Sequence, residues 1–148
     1  MSKTNSHETQ YLNHIFVNSA IANIGDGTGL PVAATEGNFF LRLYEETTAV
    51  SDSVIGDETA YTSYVQVTMP RNASDFNVSG DKVDNVQLIG FPKNTGSSVT
   101  IRYWSLWKTT GGGTDTDRLF HGQFTSDLVV GTNVTPEIAI GQWSITED

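Results

Sequence analysis

The sequence has no cysteine among its 148 residues, which excludes disulfide staples, thiolate metal sites and cysteine nucleophiles together. Proline is sparse, at 4, and no window approaches the ~18 uninterrupted apolar residues of a membrane-crossing helix. Positive charge is also scarce: 8 basic against 17 acidic residues leave a formal charge of -9. That balance repels a phosphate backbone, so nucleic acid is not an expected partner, and without a long apolar window neither is a membrane. The opening segment MSKTNSHETQYLNHIF carries Glu8 and two histidines where a secretion signal needs an apolar run. Synthesis in a cytoplasm, without a secretory address, is the expectation.

What the chain does have is the grammar of strands and turns. Serine and threonine number 32 and glycine 14, set between short runs of Val, Ile, Tyr, Phe and Trp. At this length a single domain, 1–148, can bury about two-thirds of its unfolded surface without staples. One helix is expected over about residues 5–22, capped by Asn5 with Glu8 closing a capping box. Tyr11, Leu12, Ile15 and Phe16 recur there at helical spacing. A glycine-rich breaker, containing GDGTG at 25–29, follows and reads as a turn: no Lys-Ser/Thr pair makes it a phosphate loop. Residues 1–24 are thus helix and breaker loop.

Over 36–148 the apolar period becomes two. NFFLRLYEE, YVQVTM, FNV, VDNVQLIGF, SVTIRYWSLW, RLFHGQFT, DLVV and EIAIGQWSIT read as about eight strands, at the spacing of an all-β, antiparallel β-sandwich. Between Glu45 and Thr62 runs a long acidic excursion, expected to be mobile unless another chain holds it. The tip GGGTDTD at 111–117 carries Asp115 and Asp117, but two aspartates fall short of the oxygen ligands that Ca²⁺ requires.

Catalytic chemistry is hard to assemble from these residues, and the chain reads as no enzyme, with no cofactor and no metal. His7 and His14 lie seven apart, without the i, i+4 pair of a helical zinc site, and His121 reads as packed or interfacial. No GxSxG elbow is present. The feature that demands explanation is SVTIRYWSLW at 98–107. Val99, Ile101, Tyr103 and Trp107 share one face of this strand, yet Trp104 and Leu106 stand beside Arg102 on the other. Phe40 and Tyr44 form a similar second face on NFFLRLYEE. Exposed aromatics on that scale exceed what monomers tolerate, so Phe40, Tyr44, Arg102, Trp104 and Leu106 form the candidate interface. The cover is expected to be the N-terminal helix, a neighbouring copy, or both.

The order of segments resembles a family of small tailed-phage virion proteins, often labelled tail fibre proteins. ETQYLNHIF is similar to the family's opening helix and NFFLRLYEETT to its apolar strand with a small or acidic tail. VQLIGFPKNTGSSVTIRYWSLWKTTGGG is the strongest match, with an apolar residue, Phe-Pro, a Thr-Gly turn, a long strand and a glycine turn. The segment from RLFHGQFT to GQWSIT resembles the closing series. The resemblance implies a jelly-roll-like β-sandwich in a virion, on the surface of a phage head or tail. A fibre needs a shaft, and the sequence has neither heptads nor repeats. An oligomeric capsid cement or decoration protein is therefore expected, as a trimer or ring of copies on the major capsid protein or other virion proteins. The alternatives are a tail fibre or tail-tip knob contacting the host receptor, and a carbohydrate-binding β-sandwich using Trp104, Trp107 and Trp143 as stacking platforms.

Overall fold

The computed structural model describes residues 3–25, 28–110 and 115–147, so the middle of GDGTG and the GGGT of the GGGTDTD tip lie outside the described residues, as does the Asp115 side chain. The chain is mostly β, 39% strand and 11% helical, with one N-terminal helix and antiparallel sheets that do not close into a barrel. This is the expected all-β, sandwich-like class. The helix, α1, spans Asn5–Val17. The strands are β1 (Asn38–Glu45), β2 (Val67–Pro70), β3 (Phe76–Ser79), β4 (Lys82–Asn85), β5 (Ile89–Gly90), β6 (Val99–Trp107), β7 (Arg118–Val130), β8 (Glu137–Ile138) and β9 (Ser144–Thr146). The chain divides into two compact units, Met1–Gly37 with Pro70–Ile89 and Ile138–Asp148, and Asn38–Met69 with Gly90–Glu137.

In the first unit, α1 starts one residue earlier than its expected cap. Thr4 is the N-cap and its side chain accepts from the His7 amide, so Glu8 is one position too late to close the box. The helix also stops at Val17 instead of running to the glycines. Asn18 adopts the left-handed conformation, with φ 54° and ψ 37°, and its amide bonds back to the Asn13 carbonyl. Arg71 then caps the last turn, its guanidinium donating to the carbonyls of His14 and Ile15. The apolar face of α1 packs on β3 and β4. Phe16 meets Phe76 edge-on at 5.1 Å between ring centroids, and Phe76 continues to Trp143 at 6.2 Å. Burying side chains such as Leu12 and Phe16 completely stabilises the unit by about 1.5–3 kcal/mol each. β3, β4 and β9 form an antiparallel sheet in that order, with Val83 opposite Ile145.

The second unit is built on a sheet of order β2-β1-β6-β7. β1 and β6 lie at its centre, which is why both carry large apolar residues at nearly every position. RLFHGQFT and DLVV, read as separate strands, are one continuous β7. Two register shifts in its pairing with β6, between Ile101 and Tyr103 and between Leu106 and Trp107, accommodate its extra residues. The segments 83–91 and 137–146, each read as one strand, are broken in two. In the first, Asn85 ends β4 and donates to the carbonyls of Gln87 and Ala139 at 2.8 and 3.0 Å.

Candidate functional site

The antiparallel register of β1 and β6 decides which side chains share a face. Phe40 pairs with Trp107, Arg42 with Ser105 and Tyr44 with Tyr103, while Leu41 pairs with Leu106 and Leu43 with Trp104. Phe40 and Tyr44 are therefore on one side of the sheet, and Trp104 and Leu106 on the other. Arg102 sits at the register shift, bound to Asp127 at 2.8 and 2.6 Å and to Glu46 at 3.3 Å. The five candidate interface residues form no single patch. Nor are most of them open: Tyr44 and Leu106 are 0% exposed and Trp104 8% in one copy of the chain, while Phe40 is half-buried. The expected external cover is replaced by an internal one, and α1 finds its partner on β3 and β4.

On the Trp104 side the cover begins with a missing side chain. Gly122 lies opposite Trp104, and a Cβ there would come within 2.5 Å of the indole ring. The indole thus packs directly against the β7 backbone at Gly122, where a side chain would collide with it.

On the Tyr44 side the acidic excursion supplies the cover. The Glu45 amide donates to the Asp57 carbonyl and the Thr59 amide to the Leu43 carbonyl, both at 3.0 Å, which closes the base of the 46–57 segment against β1. Within it, Thr47 and Thr48 both donate to Asp57, and these bonds hold the Asp57 carboxyl below the usual carboxylate range. Val50 is buried and packs against Gly56, whose φ is 86° and whose missing Cβ would stand 3.3 Å from the Tyr44 ring. The expected mobile loop is a flap tied down by its own chain.

Two residues of β7 do the tying. The Arg118 guanidinium donates to the carbonyls of Ser51, Asp52 and Val54, and His121 Nε2 lies 3.0 Å from Asp52 Oδ1. Sequence reasoning missed this clasp because Asp52 and His121 are 69 residues apart. The pairing of His121 opposite Ser105 brings its ring to the flap side of the sheet.

Under the flap lies a polar network. Ser105 Oγ donates to Tyr44 Oη at 2.9 Å, and Trp107 Nε1 donates to the same Tyr44 oxygen at 3.1 Å. Burial raises the Tyr44 pKa, so the phenol stays neutral. Arg42, only 4% exposed, stacks on Trp107 with its guanidinium carbon 4.4 Å from the ring centroid. It also reaches Glu58 at 3.4 Å and the Thr109 carbonyl at 3.2 Å. Glu58 accepts in turn from Tyr64 Oη, whose pKa burial pushes far up. Ser105, His121 and Asp52 are the residue types of a hydrolytic triad, but Ser105 Oγ is committed to Tyr44 and has no exposed surface. A nucleophile needs its base within hydrogen-bond reach and a path for substrate, and this serine has neither arrangement. The geometry is that of a structural network.

The remaining sequence candidates fall away from one another. Trp107 and Trp143 are fully buried and Trp104 nearly so, which removes the stacking platforms of the carbohydrate-binding alternative. His14 bonds the Ser19 carbonyl at 2.7 Å. Among the described residues no group of three or more His, Asp or Glu side chains is placed to hold a metal ion. No helix among them is long and apolar enough to cross a membrane. Among the exposed polar and acidic residues of the flap two are apolar, Val54 and Ile55, which are 41% and 37% exposed, and Leu119, beside the Arg118–His121 clasp, is 39% exposed. No protein-family model matches the sequence, and no curated protein matches it at a significant level.

Proposed function

We propose that this chain is a non-enzymatic structural protein of a phage virion, seated on the head as a cement or decoration protein among copies of itself and the major capsid protein. The observation that carries the reading is the flap tip. An acidic excursion is clamped to its own sheet through Arg118 and displays Val54 and Ile55. Apolar side chains that a strongly acidic chain exposes and holds in one shape are suited to burial against a neighbour. The order of the sequence segments supports the virion setting. The central strand faces do not serve as the adhesive, because one copy already covers them.

The test uses shells assembled from the phage's major capsid protein. Purified chain is expected to co-sediment with the shells and to raise the temperature at which they come apart. The double variant Val54→Ser, Ile55→Ser is expected to bind at least several-fold more weakly. Shells that leave all of the wild-type chain in the supernatant, with unchanged thermal behaviour, refute the proposal.

A further inference from the structure

The loop that follows the flap, residues 58–64, lines an open cleft of about 530 Å³ within the second unit. We propose that this cleft binds a neutral hexopyranose, a sugar residue of a glycan, through the Glu58 carboxylate and the hydroxyl side chains of Thr62 and Ser63. The proposal stands apart from the virion role, since it concerns one copy of the chain and a small ligand. No tryptophan takes part, which separates this site from the buried indoles described above.

The walls of the cleft are fixed without a ligand. The Leu43 peptide ties both ends of the loop: its carbonyl accepts from the Thr59 amide and its amide donates to Tyr64 Oη, each at 3.0 Å. Between them the Tyr64 amide donates to the Tyr61 carbonyl, and Tyr61 Oη donates to the Pro92 carbonyl, both at 2.8 Å. The Tyr61 and Tyr64 rings meet edge-on at 5.3 Å, and Tyr64 stacks on Phe91 at 6.3 Å. Gly96 lets the outer turn sit close, since a Cβ there would come within 2.3 Å of Thr62 Oγ1. A wall fixed in this way gives up little conformational freedom when a ligand binds. Ser63 adds a second mark of a binding segment. It is exposed and carries a Cβ, yet it holds φ 81° with its hydroxyl 3.2 Å from Thr95 Oγ1. Backbone strain of this kind clusters at ligand clamps.

The chemistry of the lining selects the ligand. Glu58 is the one charged group among the lining residues, and Arg42 stands 3.4 Å from its Oε2, so the pair brings no net charge to the cleft. An anion meets no exposed cation there, because Arg42 is buried. A cation meets a carboxylate that a guanidinium already balances. Glu58 accepts once at each oxygen, from Tyr64 Oη and from Arg42. A carboxylate has about four acceptor sites, which leaves about two for the hydroxyls of a ligand. The Glu58 side chain is 35% exposed, so those sites are within reach. Thr62 and Ser63 are exposed and add hydroxyls that both donate and accept. The exposed Ala60 methyl and the half-buried Tyr64 ring give the C–H face of a pyranose an apolar surface. A few convergent polar groups beside apolar surface, in a cleft formed in advance, is the usual make-up of a small-molecule site.

Saturation-transfer NMR on the purified chain tests the proposal with free glucose, galactose, mannose and N-acetylglucosamine. Each is supplied at about 10 mM, well above the dissociation constant of about 1 mM expected for an open site with few hydrogen bonds. At least one of the four is expected to receive saturation from the protein. Glu58→Gln keeps a single acceptor oxygen and is expected to weaken that binding about tenfold. Because Glu58 also contacts Arg42, a second variant leaves the packed network untouched. Ala60→Arg fills the cleft from an exposed position and is expected to abolish the transfer while the thermal unfolding curve stays unchanged. Absence of transfer to all four sugars overturns the proposal, and so does binding that Ala60→Arg leaves intact.

Discussion

At the scale of single residues, two asparagines organise the turns, and neither announces itself in the sequence. Asn94 is 0% exposed and donates to the carbonyls of Ser97 and Val130 at 2.8 and 3.1 Å, while its own side-chain oxygen accepts from the Gly96 amide at 2.8 Å. Asn85 repeats the pattern in the other unit, accepting from the Trp143 amide at 3.0 Å. In the sequence Asn94 sits in a polar stretch that reads as an ordinary turn, and Asn85 inside a segment that reads as one strand. Removal of either amide takes a partner from three backbone groups, one of them in a buried bond (the Val130 carbonyl or the Trp143 amide), and a buried unsatisfied group costs about 1–3 kcal/mol before relaxation. Asn94→Ala is therefore expected to lower stability by about 1–3 kcal/mol, as measured by urea unfolding, with Asn94→Asp intermediate because it keeps the acceptor alone. A loss below ~0.5 kcal/mol would show that water replaces the side chain.

At the scale of elements, the helix shows how local signals compete. The apolar spacing of Leu12 and Phe16 marked α1 correctly, since a 3.6-residue period is a property of the sequence. Its ends were not legible. Thr4 and Asn5 are both acceptable N-caps, and the choice falls to Thr4, placing the helix one residue earlier. The C-terminus depends on Arg71, 56 residues away from the Ile15 carbonyl it caps. Burial lowers the Arg71 pKa without removing its charge, so the guanidinium acts as a cation at the negative end of the helix dipole. Arg71→Gln is expected to destabilise the chain by about 1 kcal/mol and to increase exchange of the last-turn amides of α1. Unaltered exchange there would assign the helix stop to Asn18 alone. The strand breaks in 83–91 and 137–146 escaped the sequence for a similar reason: alternation continues through both segments, and the interruption at Asn85 comes from a partner distant in the chain.

At the scale of the whole molecule, the two kinds of apolar residue separate. Trp104 and Leu106 belong to the core of their unit, whereas Val54, Ile55 and Leu119 face outward. Trp104→Ala is thus expected to cost about 3–5 kcal/mol of stability, the range for emptying a buried aromatic site. Val54→Ser with Ile55→Ser is expected to change stability by less than ~1 kcal/mol, because the lost side chains were already partly in water. Thermal unfolding of the two variants separates these effects. Equal losses would place the flap tip in the core. The formal charge of -9 adds long-range repulsion between copies in solution, so association at low salt is expected to be weaker than at moderate salt.

The sequence by itself determined the class of fold, the helix, the two central strands and the apolar load on both faces of residues 98–107, because each is written in local periodicity and composition. Tertiary structure decided what shelters those faces. The acidic segment that reads as solvent-exposed in isolation folds back under the grip of Arg118 and His121, and a glycine opposite Trp104 makes room for the indole. Cover depends on which distant residues meet, and a two-residue repeat carries no information about the strand or loop that will lie above it.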